Sequence, residues 1–350
     1  MTDDSNKGLI KAHAGYSDQR LEELCTSQVR FEGGFVPWVA WESENSSFGK
    51  TFREWARYPR FLPLYFSCDH GVHWESRCWP NETESMLRMF FTWNRKKCEL
   101  MRILHGKKSY HIPHPWVFYR KTHFPSLPSK RTGTLVFFPH SNTTTTPAFE
   151  DLDSYIDGLK ALPAKYQPIV ICLSFHDVAK GLHRKLRKYH LPLVTAGTTN
   201  SRSFVDRFYS LLYQFRYSSS PNIGSHTFYV IEAGVPFFLY GPYPEFQIRG
   251  SKAVRDGKQN LEDYGDQQDI KEFTRLKELL SVRVDEVSPE QYAVVAKYLG
   301  IDSKVTRLKA ACLMWRELLC HSGTTITMYA KLAGRLVSRT RLSGATRVKW

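Results

Sequence analysis

The chain of 350 residues is long enough for two domains of ordinary size, and its 42% hydrophobic content supports a real core. Its formal net charge of +15 favours an anionic partner, such as a phosphorylated substrate, a nucleic acid or an acidic membrane face. No apolar run approaches the length of a membrane span and the polar start lacks a signal-peptide pattern, so we expect a cytoplasmic protein.

Residues 1–121 are predicted to form a first α/β domain. The apolar run 61–66 indicates a strand, and Cys68, Asp69, His70 and Gly71 form the turn that follows it. Further along, the patterns favour helices at 82–89 and 95–104 and strands at 90–93 and 109–112, while 36–42 is either a short strand or a docking segment. Strand, helix and strand in this order predict a βαβ unit.

The turn after the first strand is a candidate catalytic site. In open α/β sheets, catalytic residues gather at the carboxyl ends of strands, and an exposed His70 there is a plausible general base. Gly71 would let the backbone come close to a substrate. The alternative is that Asp69 caps the next segment and His70 is an ordinary surface residue. The residues alone leave both interpretations open.

A second α/β series follows a linker at 122–133, which is rich in Pro, Ser and Lys. We assign residues 134–285 to this second domain. Its predicted strands are 134–138, 167–173, 191–196, 215–218 and 237–240, and its predicted helices are 151–159, 179–189 and 204–212. Alternating strands and helices predict a parallel sheet with helices on both faces.

A stretch of small residues within this domain is a candidate phosphate site. The stretch 215–240 is predicted to be a loop, then a helix that begins near Ser225, then a buried strand. The small and polar loop residues are Ser218, Ser219, Ser220, Asn222, Gly224 and Ser225. A loop of this kind that leads into a helix N-terminus presents free N–H groups and the positive end of the helix dipole to a phosphate. An ordinary surface turn is the alternative.

Residues 286–350 are predicted to be helical with a basic end. Ser288, Pro289 and Gln291 form a capping box that begins a helix, and a second helix is expected at 305–319. Its buried stripe is expected to comprise Val305, Leu308, Ala311, Cys312, Trp315 and Leu319. Residues 331–350 hold six Lys or Arg and no acid, so they are either a solvated disordered end or a peripheral anchor on an anionic membrane.

Cysteine spacing and basic composition limit the other classes of site. Seven scattered cysteines without a C-x-x-C pair are expected to be free thiols in a reducing compartment, and no structural zinc site is expected. No basic-aromatic signature of a nucleic-acid module is present, so nucleic acid is not an expected partner.

Motifs in both halves of the chain resemble those of GT-B glycosyltransferases, which have two Rossmann-like domains that face a cleft. In the first half, FSCDHG and TWNRKKCELMRILHGKKSYHIPHP are similar to the acceptor domain of bacterial cell-surface polysaccharide transferases. In the second, FFPHSNTTTT and SSSPNIGSH…EAGVPFFLY resemble uncharacterised capsule and O-antigen biosynthesis proteins. The first half departs from the pattern because Pro113 stands where Gly is usual.

The resemblance implies roles for the candidate residues. His70 would take the proton of an acceptor hydroxyl, with Asp69 orienting its ring. Glu232 would hydrogen-bond a ribose. The donor phosphates would be held by the remaining candidates: His140, Ser141, Ser219, Ser220, Asn222, Gly224, Ser225 and His226.

The resemblance also implies the class of reaction. It predicts transfer of a sugar from a nucleotide-sugar donor to a cell-surface polysaccharide or glycolipid, with no bound metal and no cofactor beyond the donor. The expected place is the cytoplasmic face of the membrane. Three alternatives stay open: a CDP-polyol phosphotransferase, a UDP-sugar 2-epimerase and a catalytically inactive GT-B-like binding protein.

Overall fold

The computed structural model of the chain describes residues 12–26, 39–142, 145–248 and 267–345. Its helices are α1 Asp18–Cys25, α2 Phe48–Ala56, α3 Pro80–Thr83, α4 Arg95–Ile103, α5 Pro115–His123, α6 Leu152–Lys160, α7 Phe175–Ala179, α8 Leu182–Leu186, α9 Phe204–Leu212, α10 Ser225–Glu232, α11 Gln267–Ser281, α12 Pro289–Tyr298, α13 Arg307–Cys320 and α14 Ser322–Ala345. Its strands are β1 Ser67–Cys68, β2 Met89–Thr92, β3 Lys108–His111, β4 Thr134–Phe137, β5 Thr145–Ala148, β6 Ile169–Cys172, β7 Leu193–Val194, β8 Tyr217–Ser220, β9 Phe237–Leu239 and β10 Glu245–Ile248. These elements make a mixed α/β fold.

Two parallel sheets organise the fold. A three-stranded sheet has the order β1-β2-β3, and a five-stranded sheet has the order β7-β6-β4-β8-β9. The expected βαβ unit of β2, α4 and β3 is confirmed, as is the expected alternation of strands and helices in the second half. The strands β5 and β10 pair antiparallel to each other. The domain division at 122–133 stays a prediction.

One continuous apolar core reaches from the smaller sheet to the larger one. Trp116 on α5 lies at its centre, with its ring 4.5 Å from Tyr229 on α10 and 5.4 Å from Phe208 on α9. Phe91 on β2 and Phe237 on β9 belong to the same cluster of buried side chains. Because aromatic packing of this kind is dense, it fixes α10 relative to the smaller sheet.

Several local predictions are wrong, each for an identifiable reason. The run 61–66 is irregular, since Pro63 lies within it and cannot donate a ladder hydrogen bond, and only Ser67–Cys68 pair as β1. The helix expected at 82–89 is limited to the short α3. The helix expected at 179–189 is broken at Gly181, whose φ of +75° is left-handed.

The expected positions of the C-terminal helices are confirmed, but the face of α13 that was expected to be buried is wrong. The capping box of Ser288 and Gln291 begins α12 as expected. On α13, however, the expected buried stripe is largely exposed, and the buried residues are Ala310, Leu313, Met314, Glu317 and Leu318. Residues 331–345 continue α14 as helix, and 346–350 lie outside the described residues.

The described residues cover some of the expected segments only in part. The segment expected at 36–42 is described only from residue 39, where it is irregular, and residues 249–266 of the second half lie outside the described residues. Within 267–272, the chain already belongs to α11, a helix that was not expected. None of the helices in the described ranges combines the length and apolarity needed to cross a bilayer.

Candidate functional site

The turn after β1 and the N-terminus of α10 meet directly. The backbone N–H of Val72 donates to the Ser225 hydroxyl at 2.8 Å. Gly71 makes this approach possible because its φ is +86° and because a Cβ there would lie 2.5 Å from the Ser225 hydroxyl oxygen. The carboxyl end of a strand in one sheet is thereby placed against a helix start in the other.

Two further hydrogen bonds hold this turn in place. The Trp93 indole N–H donates to the Gly71 carbonyl at 2.7 Å. The His73 ring nitrogen Nε2 lies 2.6 Å from the His70 carbonyl oxygen. The backbone carbonyls of His70 and Gly71 are therefore both hydrogen-bonded within the protein.

The His70 ring is exposed at the rim of this junction, where it packs beside Trp41 with ring centroids 4.9 Å apart. Protein atoms crowd its other sides, and this desolvation lowers its pKa to about 4, while a proton on His73 or His140 would lower it further. An imidazole that is neutral at pH 7 can accept a proton. The exposure and protonation state of His70 both suit a general base.

Asp69 does not orient the His70 ring as the resemblance implied. Its carboxylate is buried and points inward, where it contacts the Lys97 ammonium at 2.6 Å and accepts a short hydrogen bond from the Thr92 hydroxyl. Lys97 also binds Glu82 at 2.7 Å. These contacts make Asp69 part of a buried ion cluster beneath the turn.

This cluster was missed by sequence reasoning. Lys97 lies in a basic run that is typical of a solvated helix face, yet the side chains of Lys97 and Glu82 are buried. Desolvation alone would lower the pKa of Lys97, but the carboxylates of Asp69 and Glu82 raise it. One signal was available, since Lys97 lies four residues before the buried Met101 and so shares its helix face.

At the end of β4, His140 and Ser141 face in different directions. The His140 side chain is exposed, while Ser141 is buried and its backbone N–H donates to the Asp177 carboxylate at 3.0 Å. Asp177 in turn accepts from the Ser174 hydroxyl at 2.8 Å. His140 therefore stays a candidate ligand residue, whereas Ser141 is held inside the fold.

Ser219 and Ser220 are not loop residues, contrary to expectation. Together with Ser218 they form the buried strand β8. The Ser219 hydroxyl donates to the Phe238 carbonyl at 2.9 Å, and the Ser220 hydroxyl contacts the Asn222 side-chain oxygen at 3.0 Å. Their hydroxyls satisfy the sheet and the turn and are not presented to a ligand.

The loop residues that do reach the helix start are Asn222, Gly224, Ser225 and His226. Gly224 is the N-cap of α10, and its backbone N–H contacts the Thr227 hydroxyl at 3.3 Å. His226 stacks on Phe137 at 4.8 Å, and its Nε2 is buried without a hydrogen-bond partner among the described residues. Desolvation, then His140, lowers the pKa of His226 to about 3.

Electrostatics connect these imidazoles. The charge of His140 lowers the pKa of His70, of His226 and of His176, which follows β6. His70, His140, His176 and His226 follow β1, β4, β6 and β8 along the chain. No group of three or more His, Cys, Asp or Glu side chains in the described ranges is arranged to hold a metal ion.

Glu232 lies at the wrong end of α10 for the ribose contact that the resemblance implied. It is the last residue of the helix, about 10 Å from Ser225 along the axis. Its buried carboxylate forms an ion pair with Arg120 on α5, with one N–O distance of 3.1 Å. Desolvation raises the pKa of Glu232, and Arg120 opposes that shift.

A cavity of about 330 Å³ adjoins the loop between β8 and α10. Pro221 and Ile223 of that loop line one side, and Tyr240, Tyr243 and Phe273 supply aromatic rings. Phe273 on α11 also packs against Trp74, which follows the His70 turn, at 5.4 Å. The cavity therefore adjoins the loop that leads into α10, and one of its lining rings contacts the segment that follows the His70 turn.

Comparison with known proteins adds limited information. No protein-family model matches the chain, and no curated protein matches it. Among solved structures, the wall teichoic acid polymerase TagF is 15% identical with a TM-score of 0.35, over 78% of this chain and 72% of that chain. The N-terminal domain of Candida albicans trehalose-6-phosphate phosphatase is 11% identical with a TM-score of 0.29, over 87% and 76%.

Proposed function

We propose that this chain is a GT-B-type glycosyltransferase that moves a sugar from a nucleotide-sugar donor to a cell-surface polysaccharide or glycolipid. The observation that carries the proposal is the hydrogen bond from Val72 to Ser225. It brings a candidate base at a strand end of one sheet to a helix N-terminus at a strand end of the other. A base for an acceptor hydroxyl and a site for a donor phosphate are the two parts that such a transfer needs.

His70 is the proposed general base. Its lowered pKa keeps the imidazole neutral, so that it can take a proton from a hydroxyl as the hydroxyl attacks the sugar. The backbone contacts of Gly71 and Val72 fix the position of the turn, and this replaces the orienting role first expected of Asp69. Asp69, Lys97 and Glu82 are proposed to support the turn from below.

The N-terminus of α10 is the proposed donor phosphate site. The helix dipole presents partial positive charge there. Near this position, His226 has a buried ring nitrogen without a hydrogen-bond partner among the described residues, and the ring would have to turn outward to donate to a phosphate oxygen. His140, exposed at the end of β4, would contribute a second donor as negative charge grows on the leaving nucleotide.

The cavity beside the β8–α10 loop is the proposed site of the nucleotide's base. Its volume of about 330 Å³ is near the lower end of the usual range for small-molecule sites. Tyr243 and Phe273 offer ring faces to a planar group, and Pro221 connects the cavity to the phosphate site.

The test is to measure binding and turnover separately. A panel of CMP, CDP, UDP and GDP identifies the nucleotide by calorimetry, and the matching nucleotide-sugar is then used to follow transfer to glycan acceptors. In His70→Ala we expect turnover to fall by roughly 10²- to 10⁴-fold with nucleotide affinity unchanged. His105→Ala, at an exposed histidine after α4, is the control.

The outcomes separate the alternatives. Unchanged turnover in His70→Ala would refute the general base. Binding of a nucleotide without any transfer would favour the inactive binding protein. Transfer of a polyol phosphate from a CDP-linked donor would favour the phosphotransferase. The epimerase is the weakest alternative, because Asp69, Asp177 and Glu232 are all bound to internal partners and so do not supply free carboxylates to the site.

A further inference from the structure

Helix α13 presents an apolar stripe to solvent. Leu308, Trp315 and Leu319 are 73%, 40% and 70% exposed, and Cys312 between them is also exposed. These positions are spaced by four, three and four residues, so they lie on one face of the helix. A contiguous exposed apolar stripe on a folded domain often marks an interaction surface.

Neighbouring elements extend this stripe into a broader surface. The Trp315 ring lies 5.2 Å from Tyr58, and Tyr329 on α14 donates a hydrogen bond to the Phe61 carbonyl. These contacts place Phe61, which is 66% exposed, and Ile326 of α14, which is 70% exposed, beside the stripe. We define the α13 face as its five large apolar side chains, Phe61, Leu308, Trp315, Leu319 and Ile326.

Basic residues outnumber acidic ones in the segment that carries most of the α13 face. Residues 303–334 contain five Lys or Arg and one acid, Glu317. That carboxylate is buried and paired with Arg316 at 2.8 Å. Arg57 and Arg60 are exposed on the segment that leads to Phe61. This stretch combines exposed apolar side chains with cations and has no free carboxylate. Such a surface is complementary to a lipid layer whose apolar acyl chains lie beneath anionic headgroups.

We propose that the α13 face binds the anionic surface of a membrane. Trp315 would lie at the headgroup level with Leu308 and Leu319 buried in the acyl boundary, while the surrounding cations contact lipid phosphates. This surface differs from the basic segment 331–350, because all five of its apolar side chains precede residue 331. The proposal is independent of the glycosyltransferase assignment, because it uses none of the residues of the candidate site.

The test compares variants of the full chain on vesicles. Trp315→Ala combined with Leu319→Ala removes apolar area from the α13 face and leaves every charge in place. The matched control is Ile103→Ala combined with Leu104→Ala, since these side chains are 78% and 66% exposed on α4 and at its end.

The control lies on the opposite face of the three-stranded sheet. Phe91 packs against Phe52 of α2 at 5.9 Å, and α2 contacts α13. Its neighbour Phe90 points to the other face, where Lys97 of α4 lies 5.9 Å from the ring. A membrane that binds the α13 face therefore does not reach Ile103 and Leu104.

We expect the wild-type chain to sediment with vesicles that contain phosphatidylglycerol and only weakly with pure phosphatidylcholine. The Trp315/Leu319 variant should bind the anionic vesicles at least roughly tenfold more weakly than the wild type. The Ile103/Leu104 variant should bind them like the wild type. Equal binding by all three proteins would overturn the proposal. A wild-type dimer in solution that the Trp315/Leu319 variant converts to monomer would also overturn it, because the face would then join two copies of the chain.

Discussion

The two ends of α10 have the same helix geometry but opposite surroundings. At the N-terminus, Ser225 and His226 lie beside the His70 turn, and one ring nitrogen is left without a partner. At the C-terminus, Glu232 is buried against Arg120 and fully engaged. The first end therefore has an unpaired ring nitrogen, whereas the carboxylate at the second end is already bound.

This difference shows how a motif can be misassigned. The Glu in the EAGVP sequence was assigned a ribose contact from the resemblance, yet the helix carries it one and a half turns or more away from the candidate site. A buried carboxylate paired with Arg stabilises the fold only if both partners are kept. We therefore expect substitutions at the two ends to separate stability from binding.

The largest effect is expected at the C-terminal end. Glu232→Ala leaves the Arg120 guanidinium buried without its partner, so the free energy of unfolding should fall by about 3–5 kcal/mol. Urea denaturation measures this loss. Replacing the pair together, with Arg120→Met and Glu232→Leu, should recover most of the stability. A Glu232→Ala protein that is fully stable but cannot bind nucleotide would show that Glu232 is a ligand residue after all.

A smaller effect is expected at the turn that faces the N-terminal end. Gly71→Ala places a Cβ 2.5 Å from the Ser225 oxygen at a φ of +86°. The strain should lower the free energy of unfolding by about 1–3 kcal/mol. Turnover should also fall in the protein that remains folded. Gly106→Ala is the control, since that glycine also has positive φ, +60°, but its added Cβ would meet nothing within 4 Å. Equal activity losses in both variants would argue against a special role for the Gly71 contact.

The smallest effect concerns the middle of α10, where the Tyr229 hydroxyl lies 3.0 Å from His114 Nε2. Burial lowers the pKa of His114 well below its ordinary value. As the pH falls below about 6.5, the unfolded state binds a proton that the folded state does not, so stability decreases by at most about 1.4 kcal/mol per pH unit from this group. In His114→Gln, urea denaturation between about pH 7 and pH 5 should show a smaller slope. An unchanged slope would assign the acid sensitivity to the other buried histidines.

The sequence correctly predicts those helices whose residue pattern allows only one interpretation. The helix at 204–212 and the capping box before α12 are confirmed, because one amphipathic stripe and one cap sequence determine each. Helix α13 has two candidate stripes. Glu317 made the inner one look polar, and only the structure shows that Arg316 neutralises this carboxylate in its buried position.

The sequence predicts which segments form the candidate site, but it does not predict the role of each side chain within them. The His70 turn is predicted because catalytic groups follow strands in parallel sheets, and the Ser225 segment because a small-residue loop leads into a helix N-terminus. The roles of Ser219 and Asp69 were not, since small polar residues can be satisfied by a neighbouring carbonyl or a buried cation that is distant in sequence. Long-range partners of this kind leave no periodic signal.

The most direct test of the account is nucleotide binding to Ser225→Asp. The carboxylate keeps an acceptor for the Val72 N–H, so the turn should stay in place, but it adds negative charge at the proposed phosphate site. Calorimetry with the nucleotide selected from the panel should show affinity at least roughly tenfold lower than wild type, at an unchanged melting temperature. Unchanged affinity in a folded Ser225→Asp protein would contradict the claim that the N-terminus of α10 binds the donor phosphate.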